Sequence, residues 1–129
     1  MRDIEVVWTF MLDYMRGWGI REHSHDFYQM YYVVSGEADM LLERQELRLY
    51  PHLCLIIEPG QLHELPVIKA GCLRIIDTKF YLHNEQMREE VHGLPRCFAI
   101  EDSEFETALL GARNEWQSNM RYSRAMANA

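Results

Sequence analysis

Six short runs rich in β-branched and aromatic residues fill the first 82 positions: "VVWTF", "FYQMYYVV", "ADMLLE", "ELRLY", "LCLII" and "CLRIIDTKF". Turn signals punctuate the series: Ser35-Gly36, the polar "ERQE" stretch, Pro51, Pro59-Gly60 and Gly71. Short strands at this spacing point to a sandwich or barrel of antiparallel strands. Side chains on a strand alternate between faces. Ala38, Met40 and Leu42 therefore point inward against outward Glu37, Asp39, Leu41 and Glu43. Leu47 and Leu49 alternate with Glu46 and Arg48 in the same way. The run at 27–34 is apolar on both faces, which predicts that something outside the barrel covers Tyr28, Met30 or Tyr32.

The texture changes near residue 82. "HNEQMREEVHGLP" predicts a short helix with Asn84 as N-cap, Gly93 as stop and Pro95 just beyond. "SEFE" then has the form of a capping box, with Ser103 the cap and Glu106 three residues on. Phe105, Leu109, Ala112, Trp116, Met120 and Ser123 follow at helical spacing. A helix over 104–127 would run roughly 36 Å. Its pattern continues to "MANA" without a cap, which predicts that the parent protein continues. The expected division is a barrel over 1–82 and a helical segment over 83–129 packed on it, one structural domain in all.

Bulk properties narrow the function. A length of 129 residues is enough for one core. A net charge of −7 argues against DNA or anionic membranes as direct partners, because phosphate contacts need a basic patch. Cys54, Cys72 and Cys97 are odd in number and lack CxxC spacing, which fits reduced thiols in a cytoplasmic protein. "MRDIEVVWTFMLDYM" has neither the basic flank of a signal peptide nor the length of a span.

The chemistry-bearing stretch is "HSHDFYQMYYVVSG", residues 23–36. Read as one strand, it places His23, His25, Phe27, Gln29, Tyr31 and Val33 on one face. Such a cluster can hold a metal, line a ligand pocket or pack with its hydrogen bonds satisfied. Asp77 lies in an apolar run on the face of Leu73 and Ile75. It is either paired, at the barrel mouth, or an exposed strand end.

His23-x-His25-x-x-x-Gln29, then Gly36, then Pro59-Gly60-x-x-His63 resembles the two motifs of the cupin superfamily. The resemblance implies a double-stranded β-helix, a jelly-roll barrel, followed here by two C-terminal α-helices. In metal-binding cupins two histidines and a carboxylate come from the first motif and a third histidine from the second. His23, His25 and His63 match those positions, and Gln29 stands at the carboxylate's. A stricter second motif has glycine at the position of His52 and proline at that of Glu58.

From about residue 15 onward the chain is also similar to the N-terminal domain of arabinose-regulator-type (AraC/XylS) transcription factors. That resemblance implies a bacterial effector sensor, not an enzyme. A small polar molecule, such as a sugar, would bind His23, His25, Phe27, Gln29, Tyr31, Met40, His63 and Asp77. It implies a homodimer through Phe105, Leu109, Ala112, Trp116 and Met120, and DNA contact only through a helix-turn-helix domain beyond these residues. No cofactor is expected. If a metal is held, its ligands are His23, His25, Gln29 and His63. The alternative is a metal-dependent cupin dioxygenase or isomerase using the three histidines.

Overall fold

The computed structural model describes residues 3–128, with side-chain surroundings through residue 120. Among the described residues, nine strands form two sheets. In chain order they are β1 (Ile4–Met15), β2 (Ile20–His23), β3 (Tyr28–Ser35), β4 (Ala38–Leu42), β5 (Gln45–Leu49), β6 (Leu53–Ile57), β7 (His63–Leu65), β8 (Cys72–Leu82) and β9 (Cys97–Ala99). One sheet has the order β1-β8-β3-β6-β9 and the other β2-β7-β4-β5. All these pairings are antiparallel. Helix α1 (Glu85–His92) precedes β9, and α2 (Ser103–Asn128) follows it.

The alternation of inward and outward residues decides the core. Tyr31, Val33, Leu55, Ile57, Leu73 and Ile75 of the larger sheet meet Ala38, Met40, Leu42, Leu49 and Leu65 of the smaller one. A fully buried Leu or Met contributes about 1.5–3 kcal/mol relative to exposure, so this layer is the main source of stability. The other face of the larger sheet is also covered. Tyr32, Cys54 and Ile76 are fully buried beneath Phe105, Leu109 and Leu110 of α2, with Phe98 and Ile100 beside them. That cover is the one the two-sided apolarity of 27–34 requires.

Two backbone positions explain motif residues. Gly36 has φ of +88°, and a Cβ there would stand 2.1 Å from the Cys72 carbonyl oxygen, so no side chain fits. His52 has φ of +73°, a left-handed conformation in which the stricter motif's glycine would be unstrained. Its imidazole Nδ1 lies 3.0 Å from the Tyr32 hydroxyl, and its amide donates to the Val33 carbonyl.

Three expectations need correction. Residues 23–34 are not one strand: the chain leaves the smaller sheet after His23 and joins the larger one at Tyr28, so His25 and Phe27 lie in the bend between them. The cap of α2 is Asp102, whose side chain accepts from the Glu104 amide at 2.9 Å, rather than Ser103. The segment 83–129 is not wholly helical, because β9 adds an edge strand beside β6. The helix over 85–92 is as expected, with Asn84 Oδ1 accepting from the Met87 amide at 3.0 Å and Gly93 at its end.

Candidate functional site

The barrel mouth gathers the three histidines. His23 ends β2 and His63 begins β7, and the two residues are direct partners across that pair. His25 is brought over them by the bend, which is tied to the second motif through the Gly60 amide donating to the His25 carbonyl at 2.8 Å. Ring centroids are 4.2 Å apart for His23 and His63, 4.8 Å for His25 and His63, and 5.7 Å for His23 and His25. One nitrogen from each ring lies within 4.8 Å of the others.

The backbone fixes which nitrogen that is. Nδ1 of His23, His25 and His63 sits 2.8, 3.0 and 3.0 Å from the carbonyl oxygens of Arg21, Phe27 and Gln61. A carbonyl only accepts, so Nδ1 carries the proton in His23 and His63, whose neutral rings keep the lone pair on Nε2, while His25 faces an acceptor oxygen at both nitrogens. His63 Nε2 is buried and has no protein partner among the described residues. Burial chiefly holds the His63 pKa below its ordinary value; the Gln61 carbonyl opposes this, and the charges of His23, His25 and Lys79 add to it. The ring is thus kept in its lone-pair-bearing form.

Gln29 and Asp77 complete the site from behind. Gln29 Oε1 is 2.8 Å from His25 Nε2, and Gln29 Nε2 donates to Asp77 Oδ1 at 2.8 Å. Both residues are buried. Burial pushes the Asp77 pKa up to about 6, against the opposing pull of the Gln29 hydrogen bond and of Lys79. A neutral His25 and the carboxamide oxygen are both acceptors, so their close approach calls for a positive species between or on them. A cation shared by Nε2 and Oε1 meets that need.

The sequence-chosen residues therefore separate into two layers. His23, His25, Phe27, Gln29, His63 and Asp77 form the mouth and its backing. Phe27 stacks on His25, with centroids 3.9 Å apart and planes 5° from parallel. Tyr31 is fully buried opposite Asp77 on the neighbouring strand, its hydroxyl without a partner among the described residues. Met40 is fully buried in the apolar core. At the cluster His23 is exposed and His25 half-buried. The sequence reading does not include Lys79. It lies two residues past Asp77 on the same strand, with Nζ 4.1 Å from the Trp8 ring centroid and 5.8 Å from that of Phe27. Period two from Asp77 is the signal that finds it.

These side chains fit the metal that cupins commonly carry. One nitrogen from each of the three rings converges, His63 Nε2 is buried without a partner among the described residues, and Gln29 Oε1 lies 2.8 Å from His25 Nε2. Three imidazoles and one carboxamide suit zinc, nickel, cobalt or iron(II) better than magnesium or calcium. His23, His25, His63 and Gln29 would hold it, and it would supply Lewis acidity there.

A family model described as the AraC-like ligand binding domain matches residues 12–113. The chain belongs to that family. Solved structures agree on the fold. A predicted oxalate decarboxylase from Thermotoga maritima is 14% identical with a TM-score of 0.56, over 60% of this chain and 69% of that one. An RmlC-like cupin with a double-stranded β-helix from Methanocaldococcus jannaschii is 18% identical with a TM-score of 0.53, over 65% and 77%. A salicylate 1,2-dioxygenase variant from Pseudoaminobacter salicylatoxidans is 15% identical with a TM-score of 0.54, over 63% of this chain and 27% of that enzyme. The fold of this AraC-like domain is thus the cupin double-stranded β-helix with two added helices. Comparison with curated protein sequences found no match. Among the described residues no helix is long and apolar enough to cross a membrane.

Proposed function

We propose that this AraC-like domain is the non-catalytic effector sensor of a bacterial, cytoplasmic transcription regulator. The observation that carries the reading is the cluster of His23, His25, His63 and Gln29 at the mouth of a domain whose family is defined by ligand binding. A small polar molecule, such as a sugar, engages their nitrogens and the amide from the open side, with Phe27 as an apolar wall. Tyr31 and Asp77 back the site. DNA is contacted by a helix-turn-helix domain in the rest of the regulator, consistent with the acidity of this one.

Signal transfer needs an element that differs between two states and a ligand that prefers one of them. The segment Trp8–Trp18 supplies a route. Strand β1 is paired with β8 along its length, and Phe10 meets Trp116 of α2 edge-on at 5.5 Å. The sensing strand β8 and the helix are thereby linked through one edge strand. Helix α2 also presents a groove of about 520 Å³ against β1, lined by Ile4, Val6, Leu109, Ala112, Trp116 and Met120. A second copy of the chain seated on this face would form the regulator's two-fold dimer.

A thermal-shift screen of sugars, polyols, amines and small acids tests the reading. An effector at a hundred times its Kd stabilises the fold by about 2.7 kcal/mol. His25→Ala is expected to abolish the shift while leaving the unliganded fold intact. A screen in which a hit shifts His25→Ala and the native chain equally places the effector elsewhere.

The second reading is that the triad holds a divalent metal, whether for sensing or for dioxygenase or isomerase chemistry. It rests on the convergence of three Nε2 atoms and on the unpartnered, buried nitrogen of His63. Elemental analysis of purified native chain and His63→Ala decides it: metal near one per chain, lost in the variant, is the supporting result.

A further inference from the structure

We infer that Asp77 is the positioning residue that makes Gln29 a metal ligand: by accepting from the carboxamide nitrogen it turns Oε1 toward the histidines and sets a negative charge behind them. The inference rests on the cation-holding reading of the triad. Three neutral imidazoles and a carboxamide leave the full charge of a divalent ion uncompensated, which a glutamate at position 29 would not do. Asp77 offers the missing charge one residue further back, 2.8 Å from Gln29 Nε2.

Orientation matters as much as charge. A carboxamide turned end for end presents its NH2 group to Nε2 of His25, and that arrangement repels a cation. Nothing in the shape of the side chain forbids the turn, because oxygen and nitrogen are nearly the same size. What selects the ligating orientation is an acceptor on the far side. Asp77 is buried with its oxygen on Gln29 Nε2, and the strands that carry the two residues are adjacent in the sheet. Outer partners of this kind commonly change metal affinity on the order of 10–100-fold.

The test uses the metal-free chain and cobalt(II), followed by calorimetry and by visible absorption, which reports the ligand set directly. The native chain is expected to bind one ion, and His63→Ala to lose it. Asp77→Leu removes both acceptor and charge, and weakens binding on the order of 10–100-fold with a changed spectrum. Asp77→Asn keeps an acceptor oxygen and loses only the charge, so it falls between. Gln29→Glu in the Asp77→Leu background restores binding, because a carboxylate has no wrong end. Asp77→Leu that binds as tightly as the native chain, with the same spectrum, overturns the inference while the metal reading stands. If Asp77→Leu does not fold, native-like affinity and spectrum in Asp77→Ala, which also removes both acceptor and charge, do the same. A native chain that binds no cobalt removes the metal reading and the inference together.

Discussion

Asp77→Asn should also change how stability depends on pH. Burial raises the Asp77 pKa from 3.8 to about 6. A raised carboxylate pKa means that the folded state favours the neutral acid. The associated stability is fully present below pH 4, near the unfolded value, and is lost as pH rises through 6. Two pH units at 1.36 kcal/mol each give about 3 kcal/mol. An asparagine side chain at this position has the same shape and never ionises. The native chain should therefore lose about 3 kcal/mol relative to Asp77→Asn between pH 4 and pH 7.

The difference between the two proteins is the quantity to measure, because His63 works in the opposite direction. Its lowered pKa gives stability that is present above pH 6.5 and lost on acidification, and it does so in both chains. Urea unfolding in chelator, repeated from pH 4 to pH 8, isolates the Asp77 part. A difference that stays constant within about 0.5 kcal/mol would falsify the burial argument. A native chain that gains on the variant as pH rises would mean that Gln29 and Lys79 stabilise the carboxylate by more than burial opposes it.

Two other outcomes follow from the packing. Met40→Ala is expected to cost about 2–5 kcal/mol in urea unfolding, since Met40 is fully buried in the apolar layer. A cost below about 1 kcal/mol would show that Met40 borders free space instead, and would favour a deep effector pocket. For the dimer, Ala112→Glu and Met120→Glu are the informative changes, because both residues are exposed on the single chain whereas Leu109 packs on its own barrel. Sedimentation should find the native chain dimeric and these variants monomeric at the same concentration. A native chain that stays monomeric at high concentration refutes the proposed seam, and dimers that persist in both variants move it elsewhere.

The parts of the fold legible in the sequence are those set by side-chain period and turn chemistry. Alternation at 38–42 and 47–49 identifies the correct inner faces, and the two-sided apolarity of 27–34 requires the cover that α2 provides. What sequence does not show is fixed by tertiary pairing. Strand β9 has three residues, and only its hydrogen bonds to β6 distinguish it from a loop. Ser103 and Asp102 are both good caps, so the choice between them rests on a single turn's geometry.

The histidine cluster shows how a correct grouping can rest on an incorrect local structure. Period two along one strand is the sequence argument for joining His23, His25 and Gln29, yet the chain changes sheets between His23 and Tyr28. The group survives because three separate contacts assemble it. His23 meets His63 through cross-strand pairing, His25 is held by the Gly60 amide, and Gln29 is held by Asp77. Each contact draws on a different part of the chain, and the spacing His-x-His-x-x-x-Gln with Gly60-x-x-His records all of them at once. A motif of this kind encodes a change of direction at a barrel mouth, where two sheets part and their end residues face one another. The partnership that spacing does not reveal is that of Asp77 with Gln29, 48 positions apart in sequence and 2.8 Å apart in the fold. Neither motif carries its charge. The proposed difference between this mouth and a glutamate-bearing one therefore rests on a contact visible only in three dimensions.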